Sequence, residues 1–371
     1  MKHEALFIGA TGQHVGKTTI SLGLNAALRK RFNSVGFIKP VGQQHVPVEG
    51  VSVDKDVYLF RELFHMSSDW KDMSPVIIPQ GFTKDYLDGK ISNKKLMESI
   101  IKSFNTISGE HEFTLVEGTG HIGVGSIIEL SNARVAKELN LDIVIIASGG
   151  LGSSFDELSL NIALCKEAGL RIHGVILNKV IQEKMEKIRN YFEKALKRHN
   201  IPLIGCIPFE PLLTKPTIQD FESLFKTTLL SGQEHRMRHF ASVRLMAGSA
   251  DTYREEMIEN ELIITPASRE DIITITLMRH KAELKEHKTD FQGGMILTGR
   301  HAPSKHIIEE IKKCSIPILY APLCSYDAMQ LITSYTAKLL LEDKEKIEKV
   351  IGLVEKHVDI ERLVRRSLSP V

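Results

Sequence analysis

The chain has 371 residues, 42% hydrophobic and 25% charged, which suits one large or two ordinary globular domains and excludes a mainly disordered or fibrous chain. Its 48 basic residues nearly balance 46 acidic ones, and a net charge of +2 supplies no field that would draw in nucleic acid or an anionic membrane. Apolar runs stay short of the ~20 residues of a membrane span, the run after Met1-Lys2-His3-Glu4 is too short for a secretory leader, and four scattered cysteines (Cys165, Cys206, Cys314, Cys324) signal neither a zinc site nor disulfides, so a cytoplasmic protein is expected.

Strand patterns recur at Ala5–Gly9, Val35–Ile38, Phe113–Glu117, Asp142–Ala147, Ile172–Asn178 and Leu203–Ile207. Ile143-Val144-Ile145-Ile146 is apolar without alternation, as in a parallel strand buried on both faces. Between strands lie helical patterns. Thr18–Arg31 puts Ile20, Leu24 and Leu28 on one face and ends in Arg29-Lys30-Arg31. The alternation predicts an α/β fold, a doubly wound and mostly parallel sheet over residues 1–210. Pro208, Pro211 and Pro216, then the His- and Arg-rich stretch Gln233–His239, read as a linker over 211–240. A smaller α/β domain follows over 241–335, with strands at Val243–Ala247, Glu261–Thr265, Gly294–Thr298 and Ile316–Tyr320. Ser268 and Asp271 have capping-box spacing before Ile272–His280. Ser304 opens Lys305–Lys313, and Ser325 opens Tyr326–Leu341. Residues 336–371 read as a C-terminal helical tail, in which Ile347, Val350, Ile351, Val354 and Val358 make an apolar docking face over Glu342–Leu368.

Gly12-Gln13-His14-Val15-Gly16-Lys17-Thr18-Thr19 falls between the first buried strand and a helix, where a phosphate loop belongs. Glycines let backbone N–H groups approach phosphate oxygens, and the helix N-terminus adds its dipole. Lys17 would reach the β- and γ-phosphates of ATP, and the Thr18 hydroxyl would ligate Mg²⁺. The pattern GxxxxGK[ST] has Gly where this chain has Thr11.

Ala10-Thr11-x-x-x-Val15-Gly16-Lys17-Thr18 resembles the longer phosphate loop of dethiobiotin synthetases. Phe37-Ile38-Lys39-Pro40-Val41, Leu115-Val116-Glu117-Gly118-Thr119-Gly120 and Gly174-Val175-Ile176-Leu177-Asn178-Lys179 are similar to that family's second-strand, third-strand and adenine-side motifs. The resemblance implies a Mg²⁺-dependent ATP-binding domain. A second resemblance spans almost the whole chain. Gln80-Gly81-Phe82-Thr83, Tyr86-Leu87-x-Gly89 and Gly118-Thr119-Gly120-His121-x-Gly123-Val124-Gly125-Ser126 look like the N-terminal domain of long bacterial phosphotransacetylases. Ile264-Thr265-Pro266-Ala267-Ser268-Arg269-Glu270-Asp271 resembles the DRTGG signature that follows there, with Ser268 in place of Asp. The acetyl-transfer domain of those proteins has no counterpart here, so the resemblance implies their regulatory two-domain half standing alone.

Carboxylates are needed to hold Mg²⁺. Glu117 ends a strand at the carboxyl edge, where ligands of open α/β sheets bind. A plain strand-end acid is the alternative. Asp54 resembles a Mg²⁺ ligand of dethiobiotin synthetases, but it also suits a helix N-cap, and Asp56 could serve instead. Lys39 joins Lys17 as a candidate catalytic lysine, able to neutralise a carboxylate, carbamate or phosphate, unless it is merely a solvated strand-end lysine. Gln43 stands where dethiobiotin synthetases commonly carry Ser or Thr. Asn178 could read an adenine edge or be an ordinary turn Asn. Gly149-Gly150-Leu151-Gly152-Ser153-Ser154 could cover a nucleotide or be a flexible turn. His121 reads as a hydrogen-bonded loop histidine before a general base, Arg269 as a salt bridge before an effector contact, and His235–His239 as a solvated face.

Three functions stand against one another: a nucleotide-binding sensor, an ATP-dependent ligase of the dethiobiotin synthetase or cobyrinic acid a,c-diamide synthase type, and a scaffold with a decayed loop. The intact Gly16-Lys17-Thr18 argues against the scaffold. No Gly-Cys-x-Gly turn lies near Cys314 or Cys324, so amidation from glutamine would need a partner. Expected partners are a nucleotide, a small-molecule effector or acceptor and a second copy in a homodimer, with no nucleic acid and no membrane.

Overall fold

Six of the expected strands assemble into one all-parallel sheet in a computed structural model that describes residues 4–365. Strand β1 (Glu4–Ala10) leads through the glycine-rich loop into the helix Lys17–Leu28, and β2 (Val35–Ile38) follows. Two small elements come next. β3 (Val41–Gly42) and β6 (Val76–Ile77) pair in parallel, and β4 (His45–Val48) and β5 (Val51–Asp54) form a hairpin. Then come β7 (Phe113–Glu117), β8 (Ile143–Ser148), β9 (Ile172–Val180) and β10 (Leu203–Pro208). The order is β10-β9-β8-β1-β7-β2. Every residue of β2 and β7 is buried, as is Ile143–Ala147 of β8, because helices cover both faces.

The chain leaves β1 toward β2 on one side and leaves β8 toward β9 on the other. The crevice at this switch point opens at the carboxyl ends of β1 and β8, beside the phosphate loop. Register brings the chemistry to the same edge. Ile8 pairs with Glu117, and Ile38 with Val116, so Lys39 emerges beside the end of β7.

Two compact units exist: residues 1–210 with 344–371, and residues 211–343. Residues 211–240 are therefore not a linker. Thr217 opens the helix Ile218–Phe225 through a reciprocal capping box with Asp220, and Phe221 and Phe225 enter the core of the second unit. After this helix β11 (Leu229–Ser231) joins the second sheet, whose remaining strands are β12 (Ser242–Leu245), β13 (Glu261–Pro266), β14 (Gly294–Thr298) and β15 (Ile318–Ala321). The order is β11-β15-β14-β13-β12, parallel except for β11. Ser304 caps its helix as expected, but Cys324 rather than Ser325 caps the next, which stops at Ser334. Ser268 does not cap. Arg269 takes the N-cap position and holds Asp271 by itself.

The tail also changes its assignment. Its helix Lys344–His357 buries Ile347, Val350 and Val354, and Val354 lies on the phosphate-loop helix at Gly23, where a Cβ would come within 2.4 Å of it. Lys30 pairs with Glu355 at 2.5 Å and Arg31 with Glu361 at 2.6 Å. Gly205 bridges Val358, and the Asp359 amide donates to the Ile204 carbonyl. The apolar tail face is thus spent inside the first unit. The expected extension of the tail to Leu368 lies outside the described residues. Among the described residues no helix is long and apolar enough to cross a membrane.

Candidate functional site

The phosphate loop is shaped by Gly16, which starts its helix at φ 97°, a left-handed conformation that disfavours side chains. A Cβ there would also stand 2.3 Å from Asn178 Nδ2. Three side chains take up loop carbonyls. Asn161 Nδ2 donates to the Thr11 carbonyl at 3.3 Å, Lys179 Nζ to His14 at 2.6 Å, and Asn178 Nδ2 to Val15 at 2.8 Å. With these carbonyls engaged from the protein side, and with first-turn helix N–H groups lacking intrahelical acceptors, Gly12–Thr19 presents donors to a phosphate. Gln13 and His14 are exposed, Gly12, Thr18 and Thr19 half-buried, and Val15 buried. Asn178 is thereby placed against the loop, with one of its N–H groups committed there.

Carboxylates and lysines converge beside the loop. Thr18 Oγ1 donates to Asp56 Oδ2 at 3.2 Å or to Glu117 Oε1 at 3.1 Å. Lys39 Nζ pairs with Asp56 Oδ2, with Asp54 Oδ1 at 3.1 Å and with Glu117 Oε1 at 3.5 Å. Asp54 accepts from the Asp56 amide as N-cap of the helix Lys55–Leu63, so it belongs to the cluster through Lys39. Lys17 Nζ reaches the Gly120 carbonyl at 3.3 Å.

Burial drives the protonation energetics. It raises Glu117 and Asp54 above the ordinary carboxylate range despite the nearby Lys39. Asp56 is also pushed up by burial, but its contact with Lys39 outweighs this and holds it low. Burial lowers Lys17, whereas Lys39 resists burial because Asp56, Glu117 and Asp54 hold it charged. The three carboxylates exceed the two lysines by one negative charge. The Ser21 hydroxyl beside Glu117 adds only a weak donor to this buried carboxylate, and the uncompensated negative charge leaves room in the electrostatics for a cation.

The loop after β7 is built by two buried asparagines that composition did not flag. Asn132 accepts from the Thr119 amide at 3.0 Å and donates to the Thr119 and His121 carbonyls. Asn161 accepts from the Ile122 amide at 3.2 Å while holding Thr11, so one amide links this loop to the phosphate loop. Both lie among apolar helix positions, and a buried polar residue there is the signal that could have found them. His121 is exposed and its Nδ1 accepts from the Gly123 amide, as a loop histidine. Gly149 passes so close to β9 that a Cβ would meet the Val180 backbone at 2.5 Å.

In the second unit, Arg269 binds Asp271 and the Gly248 carbonyl. The stretch His235–His239 is not a solvated face. Arg236 pairs with the buried Glu222, Arg238 with Asp290, and the half-buried His239 with Asp343 at 3.1 Å.

Sheet order, loop and converging charges define an ATPase-like phosphate-loop protein joined to a second α/β domain. A family model described as AAA domain (AAA_26) matches residues 4–217, and the chain belongs to that family; a model described as DRTGG domain matches residues 223–335. Phosphate acetyltransferase of Nitrosomonas europaea is 26% identical over 381 residues, covering 99% of this chain and 52% of that protein. The same enzyme of Pseudomonas putida is also 26% identical, over 380 residues with the same coverage. The chain thus spans about half the length of these curated relatives and corresponds to their N-terminal region. The ATP-dependent dethiobiotin synthetase BioD of Bacillus subtilis subsp. natto is 29% identical over 219 residues, 58% of this chain and 91% of that one.

Proposed function

We propose that the chain is a nucleotide-responsive regulatory module that binds Mg²⁺·ATP at Gly12–Thr19, with the second domain taking a small-molecule effector. The observation that carries it is the convergence of Lys17, Thr18, Asp56 and Glu117 at the switch point of the sheet. Lys17 supplies a cation to the phosphates and the loop supplies N–H donors. The residues fit a magnesium ion. The separations of 3.1 and 3.2 Å from Thr18 Oγ1 to Glu117 and Asp56 approach the ~2.9 Å edge of an octahedron with bonds of about 2.0–2.1 Å. Thr18, Asp56 and Glu117 would hold it, with Asp54 fixing Asp56 through its cap. Bound there, the ion would neutralise phosphate charge. Among the described residues no group of three His, Cys, Asp or Glu side chains could hold a metal by itself.

Relatives that align with both domains support the regulatory half of this reading. A cytoplasmic location and a homodimer belong to it as well. The dimer rests on the family resemblance alone, because the apolar tail face is used within the chain. A second reading, an ATP-dependent ligase, draws on Lys39 and on the BioD-like region. The test is turnover. Purified protein given ATP, Mg²⁺, bicarbonate and 7,8-diaminopelargonic acid should form no dethiobiotin at an enzymatic rate. Product formation would move the protein to the ligase class.

A further inference from the structure

The Lys39 ammonium touches the same two oxygen atoms to which Thr18 is bonded. Asp56 Oδ2 and Glu117 Oε1 each face both the Thr18 hydroxyl and the Lys39 Nζ. These are the oxygens a divalent cation would take. A cation bonded to them at about 2 Å would stand against the ammonium with nothing between to screen the repulsion. Lys39 is 6% exposed, and its backbone amide is fixed to the Met73 carbonyl at 2.9 Å, so any relief must come from its side chain.

We propose that Lys39 is a resident counter-cation that competes with the divalent cation for Asp56 and Glu117, so that loading the metal displaces the Lys39 side chain from them. This rests on the reading of the site as a metal–nucleotide site. The charge balance demands such an occupant. Without Lys39, three carboxylates would face Lys17 alone in a largely buried cluster. An uncompensated buried charge is strongly destabilising, whereas a compensated one is tolerated. The arrangement keeps the site folded with one cation and makes the second pay for eviction of the first. It also makes Lys39 a group whose position reports metal occupancy, within reach of the loop that would hold the phosphates.

The competition has a sign that a simple binding or structural role lacks. With Mn²⁺ alone as probe, counted by the paramagnetic resonance of the free ion, Lys39→Met should bind about tenfold or more tightly than wild type. The same variant should melt below wild type in EDTA and recover on adding Mn²⁺. Lys39→Arg keeps the charge and a firmer hold on carboxylates, so it should bind Mn²⁺ no more tightly than wild type. It also serves if Lys39→Met fails to fold in chelator. A folded Lys39→Met that binds Mn²⁺ as weakly as wild type, or more weakly, overturns the proposal, as does tighter Mn²⁺ binding by Lys39→Arg. Failure of wild type to bind ATP in excess Mg²⁺ would instead defeat the nucleotide reading, and the Mn²⁺ comparison would still decide the competition.

Discussion

Gly23→Ala is a substitution whose sign depends on where the tail helix sits. On an exposed helix it would stabilise by about 1 kcal/mol, since Ala is the better helix former. Here the added Cβ would lie 2.4 Å from Val354 Cγ2, 2.6 Å from Val354 Cβ and 3.2 Å from the Val350 carbonyl. Rotating Val354 cannot move its own Cβ, so the helices must separate by about 0.8 Å to reach ordinary contact of 3.4 Å. The tail is pinned just beyond by the Gly205–Val358 bridge and the Asp359–Ile204 bond, which resists that separation. Overpacking costs about 1–3 kcal/mol. Taking the upper end less the helix gain, Gly23→Ala should destabilise by about 2 kcal/mol, or roughly 4–8 °C in calorimetric melting of a unit this size. Val354→Gly alone should cost more, by lost burial and helix propensity. The pair should be coupled, with Gly23→Ala/Val354→Gly more stable than the sum predicts, because the small residue has only changed helices. A stabilised Gly23→Ala, or strict additivity, would refute the placement of the tail on the phosphate-loop helix.

Residues 211–343 expressed alone should melt cooperatively, whereas a chain truncated after residue 343 should lose stability in its first unit, as circular dichroism would report. Asn178→Asp removes the donor to Val15 and sets a carboxylate against that carbonyl, so it should weaken inorganic tripolyphosphate binding about tenfold, a loss that calorimetry would read without any base present. Burial pushes the Asp290 carboxyl up, but His280, Arg238 and the Gln292 amide outweigh it and hold it below the usual range. A depressed folded pKa contributes stability above pH about 4 that fades as pH falls further, so Asp290→Asn should lower the melting temperature at neutral pH and narrow the gap to wild type in acid. Burial pushes the Cys165 thiol up to about 12, Cys206 is buried, and Cys324 is exposed, so a thiol reagent should label Cys324 first in the native protein and Cys165 only on unfolding.

Strands with continuous apolar runs were legible because the runs are short, rich in Val and Ile, and alternate with longer amphipathic stretches, which separates them from buried helices. All six of the first sheet appear within a residue or two of their expected ends. The phosphate loop was legible because strand, glycines and helix coincide. Residues 211–240 misled because three prolines suggest a break, while Thr217-Ile218-Gln219-Asp220 is a capping box in front of Phe221 and Phe225 and could have been read as one. The tail's amphipathic face was visible, but a sequence does not say which surface it covers. Asp54 and Asp56 could not be separated by spacing, since one caps a helix and the other turns into the site from the same turn. Asn132 and Asn161 escaped notice because their role is to hold backbone, which depends on loops brought together only by the fold.

Calorimetric titration of Mg²⁺·ATP into the wild-type protein and into Lys17→Ala tests the central claim most directly. A charge-assisted contact to phosphate is worth about 1.5–3 kcal/mol, so the account predicts saturable one-site binding by wild type and a loss of about tenfold to a hundredfold in the variant. Equal affinity for ATP in the two proteins, or no binding by wild type in excess Mg²⁺, would contradict it.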